Sequence, residues 1–205
     1  MLFVSHNMAA VASLCSRAIW LQNGHIRASG PAEDIVSSYL AEATASDTGA
    51  AEIVFPDRPE ASSQFTRMCT RTVTGEICNR FRHSEGFVTE MEYVVRSPLD
   101  GASLYWMLQR ADGVEVMGSG EEDLTGTETP RQPSRYLASV RFPGGILNAG
   151  FYTYRVALRH RGRIETYGYG GYIEIVDDTS FAKVGGSRAG VVLQLLDWKT
   201  EKIEE

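Results

Sequence analysis

Short β-prone segments recur along the chain from Ser62 onward, and this spacing indicates the fold class of that part of the chain. The segments are rich in Val, Ile, Tyr, Phe and Thr, and Gly, Asp or Pro separates them. Repeats of this kind are typical of an all-β sandwich, so we predict a mainly β protein. The predicted strands are Phe65–Val73, Phe87–Arg96, Ala102–Arg110, Val114–Gly118, Arg135–Phe142, Gly150–His160, Arg163–Val176 and Val191–Trp198.

The connections between these strands carry turn signals. Ala111–Gly113 and Arg161–Gly162 are predicted hairpin turns. Glu121–Pro133 is polar and contains two prolines, so we predict a mobile loop there. Phe181–Gly190 is rich in glycine and is predicted to loop out before the last strand.

Alternation of apolar and polar residues assigns the two faces of each strand. The predicted core residues are Phe87, Met91, Tyr93, Val95, Leu104, Trp106, Leu108, Tyr152, Tyr154, Val156, Leu158, Ile173, Ile175, Val192, Leu193 and Leu195. The predicted outward residues are Glu90, Glu92, Tyr105, Met107, Gln109, Thr153, Arg155, Ala157 and Arg159.

The first 43 residues predict a short α/β unit instead. Its helices carry apolar stripes, and Asn23-Gly24 is a hairpin signal. Residues 44–61 are predicted to be a linker, in which Ile53–Phe55 is a short apolar run stopped by Pro56. The predicted elements of the unit are helix Met8–Arg17, strands Ala18–Leu21 and His25–Ala28, and a helix from Ala32 to about Glu42.

This order resembles the C-terminal end of the nucleotide-binding domain of ABC transporters. The matching residues are Val4–Asn7 (VSHN), Ala18–Gly30 (AIWLQNGHIRASG) and Pro31–Leu40 (PAEDIVSSYL). The resemblance implies that His6 holds the switch-histidine position, which reaches the γ-phosphate of ATP in that family. No G-x-x-x-x-G-K-[ST] loop and no Walker B strand are present, so we expect His6 to be inactive in isolation and this fragment not to be an enzyme. ATP and Mg²⁺ are expected as cofactors of a parent ATPase subunit only.

The remaining residues give little indication of catalysis. His83 and His160 are isolated, and no nucleophile elbow occurs. The acidic run Glu121–Asp123 could bind calcium or act on a glycosidic bond, although we favour a solvated loop. A metal site from Cys69, Cys78, His83 and His160 would need an unusual spacing, so we predict none and interpret the cysteines as reduced thiols. The net charge of −6 argues against a nucleic-acid partner, and no run of about 20 apolar residues or signal peptide is found.

The second half resembles the C-terminal domains of ATP-binding subunits in bacterial O-antigen exporters. The matching residues are Phe81–Phe87 (FRHSEGF), Gln109–Val116 (QRADGVEV), Ala149–Tyr152 (AGFY) and the closing Gly190–Leu193 (GVVL) with Trp198. The resemblance implies that residues 62–205 form an immunoglobulin-like antiparallel β-sandwich, which binds the finished polysaccharide and licenses its export. It also implies a homodimer with an exchanged last strand, a transmembrane permease as partner, and a cytoplasmic position at the inner membrane.

The outward residues offer candidates for such a site. Sugars are bound by aromatic rings against their C–H faces and by planar polar groups that hydrogen-bond their hydroxyls. Glycines beside the tyrosines of Tyr167–Tyr172 (YGYGGY) would let a ligand approach closely. The alternative is that the tyrosines fill the core or cover a sheet edge, and that the sandwich only dimerises or regulates an ATPase. The candidate carbohydrate-binding residues are Tyr105, Gln109, Arg155, Arg159, Glu90, Glu92, Tyr167 and Tyr169, with Tyr172 in the same cluster.

Overall fold

The computed structural model describes residues 2–4, 11, 14–45, 51–110, 113–180 and 190–193. Within these residues the chain is mainly β, as the alternation predicts. The helices are α1 (Ala32–Ala45) and the short α2 (Glu122–Thr125). The strands are β1 (Arg17–Gln22), β2 (His25–Pro31), β3 (Glu52–Val54), β4 (Ser63–Thr72), β5 (Arg80–Arg82), β6 (Phe87–Val95), β7 (Leu99–Arg110), β8 (Glu115–Gly120), β9 (Thr129–Arg131), β10 (Ser134–Phe142), β11 (Gly150–His160) and β12 (Arg163–Val176).

Two sheets form the sandwich. The four-stranded sheet has the order β10-β6-β4-β3, and the six-stranded sheet has the order β5-β12-β11-β7-β8, with β9 paired to β7. The pairs are antiparallel except that β5 runs parallel to β12. The predicted antiparallel sandwich is confirmed, and the one parallel pair departs from it.

Aromatic rings fill the space between the sheets. Phe87 stacks between Phe81 and Phe142, with ring centroids 5.1 and 5.0 Å away. The ring centroid of Trp106 lies 6.2 Å from that of Phe142 and 6.4 Å from that of Tyr154. Because Trp106 belongs to β7 and Phe142 to β10, their contact joins the two sheets. Each large ring buried in this way stabilises the fold by roughly 1.5–3 kcal/mol.

The predicted core positions are buried wherever the structure describes them, with one exception. Val192 is 58% exposed, whereas the adjacent Leu193 is 3% exposed and packs inward. Backbone bonds from Leu193 N–H to Ile146 O and from Asn148 N–H to Val191 O hold this segment. Because side chains alternate along an extended segment, burying Leu193 turns Val192 outward. Leu195 and the rest of the predicted strand to Trp198 lie outside the described residues.

The glycines of β12 make room for the core. A Cβ on Gly168 would lie 2.4 Å from Met68 Sδ, and a Cβ on Gly170 would lie 2.2 Å from the ring of Tyr154. The sequence-based expectation that these glycines admit a ligand is therefore wrong for both. Their missing side chains admit Met68 and Tyr154 from inside the sandwich.

Short elements occur where the sequence predicts irregular structure. β3 lies inside the predicted linker 44–61 and pairs with β4, so the sandwich takes an edge strand from the linker. The predicted mobile loop 121–133 contains α2 and β9, and β9 pairs with β7. β5 is a further strand that alternation does not reveal, since three residues are too few to show a period.

The first part of the chain forms the predicted hairpin and the predicted helix from Ala32. Most of the other predicted helix, Met8–Arg17, lies outside the described residues, and Arg17 belongs to β1. β1 and β2 pair around Asn23 and Gly24, whose positive φ angles of 51° and 80° suit a two-residue turn. Trp20 meets Tyr39 of α1 edge to face at 5.4 Å. α1 also lies against β12. Neither described helix is long and apolar enough to cross a membrane.

Candidate functional site

The outward surface of the six-stranded sheet carries most of the predicted site residues, and we call it the outer face. β11 lies between β7 and β12, so the two strands predicted to be neighbours are neighbours. Ala157 stands between Tyr105 on β7 and Tyr167 on β12, and Arg155 stands between Met107 and Tyr169. The members of the outer face are Tyr105, Met107, Gln109, Thr153, Arg155, Ala157, Arg159, Tyr167, Tyr169 and Tyr172.

The ring of Tyr105 is held between two structural partners. It lies over Gly118 of β8, where an added Cβ would be 2.0 Å from the phenol oxygen. The guanidinium of Arg159 lies 5.0 Å from the ring centroid, within cation–π range. Arg159 is itself bonded to Glu122 of α2. The ring of Tyr105 is therefore partly covered and supports Arg159.

Arg155 is bonded along two directions. Its Nη2 lies 2.8 Å from Met107 Sδ and 3.1 Å from Glu115 Oε1. Gln109, at the next outward position of β7, donates from Nε2 to the carbonyl of Gly113 at 2.8 Å. Both side chains have bonds within the sheet and keep further polar atoms for a ligand.

Tyr167 and Tyr169 present the exposed rings of the outer face. They are 42% and 59% exposed, and their centroids are 6.1 Å apart with the planes 33° from each other. Tyr172 is more covered, and burial raises the pKa of its phenol. An adjacent, tilted pair of accessible rings is a surface on which the C–H faces of a sugar can pack.

Glu90 and Glu92 do not join this arrangement. They lie on β6 of the four-stranded sheet and face away from the six-stranded sheet, so the predicted single face with Tyr105 is not formed. Glu90 Oε2 lies 2.6 Å from Arg71 Nε, and Glu92 Oε1 lies 3.0 Å from Arg67 Nη1. Alternation predicts inside or outside, but it does not predict to which sheet a strand belongs.

The acidic run has structural partners. Glu121 binds Arg131 Nη2 through both oxygens at 2.6 and 2.7 Å, and Arg131 Nε donates to the Tyr93 hydroxyl at 3.0 Å. Asp123 accepts the backbone N–H of Gly120 at 2.8 Å. In the part of the chain that the structure describes, no three His, Cys, Asp or Glu residues cluster as metal ligands would.

The histidines are also bonded to neighbours. His83 is buried, and its Nδ1 donates to Leu147 O at 2.7 Å. His160 Nε2 lies 2.7 Å from Asp100 Oδ1, and its Nδ1 lies 3.3 Å from Glu165 Oε1. The predicted switch position, His6, lies outside the described residues.

A pocket of about 470 Å³ opens at the edge strand β5. Arg80, Phe81, Arg82, Glu85 and Val176 line it. Phe81 is only 2% exposed, so the pocket offers no aromatic ring to a sugar. The outer face, with two exposed rings, is the better candidate site.

Sequence reasoning missed the carboxylates that complete the outer face. Glu115 and Glu122 pair with its two arginines, from β8 and from α2. The sequence shows that both residues are acidic. Their contacts with the two arginines, however, depend on the pairing of β8 with β7 and on the four-residue helix α2. Alternation carries no information on either.

Comparison with known proteins supplies two similarities, although no family model matches the sequence. Over 38 residues the chain is 50% identical to the O-antigen export system ATP-binding protein RfbB of Klebsiella pneumoniae. A second RfbB protein of that organism is 47% identical, also over 38 residues. Each alignment covers 18% of this chain and 15% of the relative, so the chain matches a small part of these curated proteins.

The crystal structure of the C-terminal domain of Wzt superposes with a TM-score of 0.55 at 12% identity. The match covers 71% of this chain and 90% of that domain. The fold is that of the Wzt C-terminal domain. The predicted resemblance to the O-antigen exporter subunits is thus confirmed, by the Wzt fold and by the RfbB segment.

Proposed function

We propose that this chain is the substrate-recognition part of the ATP-binding subunit of a polysaccharide ABC exporter. In this proposal the sandwich binds the exported O-antigen-type glycan on the outer face and couples its recognition to ATP-driven export. The RfbB proteins are O-antigen export ATP-binding proteins by name, and the Wzt C-terminal domain has this fold. Both similarities support an exporter subunit.

The observation that carries the proposal is the composition of the outer face. Tyr167 and Tyr169 expose two adjacent rings, and Arg155 and Arg159 on the neighbouring strand offer N–H donors. Rings beside planar polar groups are the combination that sugar recognition requires. The surface is shallow, because Ala157 lies between the two arginines, and a shallow surface suits an extended chain.

The proposal also covers the longer ATP-binding subunit to which this chain would belong. Residues 1–43 would be the end of an ATPase domain that uses ATP and Mg²⁺, followed by a linker and by the sandwich, which starts with β3. The partners would be a transmembrane permease and a second copy of the chain. The subunit would lie in the cytoplasm against the inner membrane.

The test is a pair of single replacements on the outer face. Tyr167→Ala and Tyr169→Ala should each weaken binding of the O-polysaccharide of the encoding bacterium by about tenfold, because a stacked ring is worth roughly 0.5–1.5 kcal/mol beyond its burial. The matched control is Leu137→Ala on β10, whose side chain is 65% exposed on the other sheet. Binding measured by titration calorimetry should not change in the control.

Two outcomes contradict the proposal. One is binding that survives the double replacement of Tyr167 and Tyr169, and the other is wild-type protein that does not bind the polysaccharide at millimolar concentration. Weak affinity is expected, because hydrogen bonds to sugar hydroxyls replace bonds to water at little net gain. Micromolar to millimolar dissociation constants correspond to roughly 4–8 kcal/mol of binding free energy.

The internal bonding of Arg155 and Arg159 favours a second function. Each guanidinium already has a carboxylate partner and a second contact, to Met107 or to the Tyr105 ring. Such bonding suits a sandwich that only dimerises or regulates the ATPase. The same calorimetry distinguishes the two functions, because this second function requires no polysaccharide binding.

A further inference from the structure

Both arginines of the outer face are paired with a carboxylate at its margin. Arg155 Nη2 lies 3.1 Å from Glu115 Oε1, and Arg159 bonds to Glu122. The side chains of Arg159 and Glu122 are 30% and 24% exposed, so this pair is more shielded from water than the pair of Arg155 and Glu115, at 35% and 62%. Each positive charge on the face thus has a negative charge beside it.

The charges at the two ends of the face are paired in the same way. At the β11–β12 turn, Asp100 bonds both His160 and Arg161. At the β5 end, Arg80 Nε lies 3.3 Å from Glu174 Oε2. A ligand lying along these pairs therefore meets positive and negative charges side by side.

A paired arginine discriminates between hydroxyls and anions. A sugar hydroxyl both donates and accepts, so it can accept from the guanidinium and donate to the adjacent carboxylate. A carboxylate or phosphate of the ligand only accepts. It would be attracted by the arginine and repelled by a like charge at a similar distance, while losing its own hydration.

We infer that the outer face selects a neutral polysaccharide, whose repeating unit presents hydroxyl groups to Arg155–Glu115 and Arg159–Glu122. The inference rests on the proposed function, and it specifies the class of glycan. The two pairs start four residues apart on β11, roughly 13 Å at the rise of a strand. A polysaccharide segment spans that distance, and Tyr167 and Tyr169 lie along it.

The first experiment uses an array of purified bacterial O-polysaccharides of known composition. The full chain should bind neutral members and should not bind those that carry uronate or phosphate. Affinity for the bound members should change by less than about twofold between about 0.05 and 0.5 M NaCl, because no net charge is neutralised. Binding of acidic members, or a fall in affinity of about tenfold over this range, would overturn the inference while leaving the proposed function intact. Absence of binding to every member would overturn both.

The second experiment removes the carboxylates. Glu115→Gln and Glu122→Gln keep the shape of the side chain and leave Arg155 or Arg159 without its compensating charge. Each variant should gain salt-sensitive binding of acidic array members, by about fivefold or more over wild type. Circular dichroism would verify that the variants are folded.

The matched control is Asp57→Asn. Asp57 pairs with Arg96, directly after β6 of the four-stranded sheet, so its replacement leaves an arginine away from the outer face without its carboxylate. This control should gain no binding of acidic polysaccharides. A gain in the control equal to that of Glu115→Gln, or no gain in either outer-face variant, would contradict the inferred role of the carboxylates.

Discussion

Arg131, the last residue of β9, is positively charged but only 8% exposed. Its guanidinium binds Glu121 and the hydroxyl of Tyr93, and it lies 5.7 Å from the ring centroid of Tyr136. Burial raises the pKa of the Tyr93 phenol, which therefore stays protonated and accepts the bond from Arg131. Because Glu121 follows β8 and Arg131 ends β9, one ion pair closes the segment between them.

Glu121→Gln should destabilise the fold through this ion pair. The replacement leaves a nearly buried guanidinium without its carboxylate, at a cost of roughly 1–3 kcal/mol. Urea unfolding followed by tryptophan fluorescence measures the change in the free energy of unfolding. Glu115→Gln is the control, since its ion pair is more exposed and should contribute less than about 1 kcal/mol. Equal midpoints for the Glu121 variant and wild type would contradict the role of the pair.

Gly168→Ala should destabilise the core from the inside. An added Cβ would lie 2.4 Å from Met68 Sδ and 2.9 Å from the Phe65 ring, and overpacking of this kind costs roughly 1–3 kcal/mol. Gly101→Ala is the matched control, because its Cβ would lie 3.1 Å from Glu128 Oε2, which can move, and at an ordinary contact distance of 3.6 Å from Glu128 Cβ. Thermal unfolding should separate the two variants by several degrees. A Gly168 variant as stable as the Gly101 variant would show that Met68 can move aside.

At the scale of the element, the turn between β11 and β12 is tied to β7 by charge. Asp100 of β7 binds His160 and Arg161, and Glu165 of β12 lies on the other side of the imidazole. The hydrogen bond with Asp100, and then the one with Glu165, raise the pKa of His160 above its usual 6.5. The protonated histidine thus joins the two strands of the hairpin to β7.

The stability of the domain should fall as His160 loses its proton. Since the folded protein holds this proton more tightly than the unfolded chain, the contribution is complete below about pH 6.5 and is lost as the pH rises through the raised pKa. Urea midpoints at about pH 6 and pH 9 should therefore differ more in wild type than in His160→Gln. A His160→Gln variant with the same pH dependence as wild type would exclude this histidine as the cause.

Among the elements, the long strands are the ones that the sequence predicts. β6, β7, β11 and β12 each contain enough alternating residues to show a period of two, and their inward side chains are the expected ones. β3, β5 and β9 have three residues each and show no period. The separation of Glu90 from Tyr105 was not predictable, because it depends on long-range pairing of β6 with β4 and β10.

At the scale of the whole molecule, burial is concentrated in the sandwich. Among the described side chains of the first 45 residues, Ala32 is the only buried hydrophobic one. Ile19, Leu21 and Ile26 are each more than half exposed on the side of the hairpin away from Trp20. This part of the chain gains little free energy from its own packing.

Amide exchange should therefore separate the two parts of the chain. β1, β2 and α1 should exchange at least about a hundredfold faster than β6, β7 and β11, because local opening of a poorly buried element costs less than global unfolding. Hydrogen–deuterium exchange read by mass spectrometry measures this difference. Protection of α1 equal to that of β11 would mean that its contact with β12 stabilises it as strongly as the core does.

The arginine and the carboxylate of each ion pair on the outer face belong to different parts of the structure. Arg155 and Arg159 project from β11, whose opposite side holds the buried Tyr154, Val156 and Leu158. Glu115 and Glu122 belong to the margin, at the start of β8 and in α2. Under the proposed function, mutation at the margin can therefore alter which glycans are accepted without disturbing the core. Under the proposed function, divergence among related chains should accumulate at Glu115 and Glu122 as surface polysaccharides change, while β11 is retained.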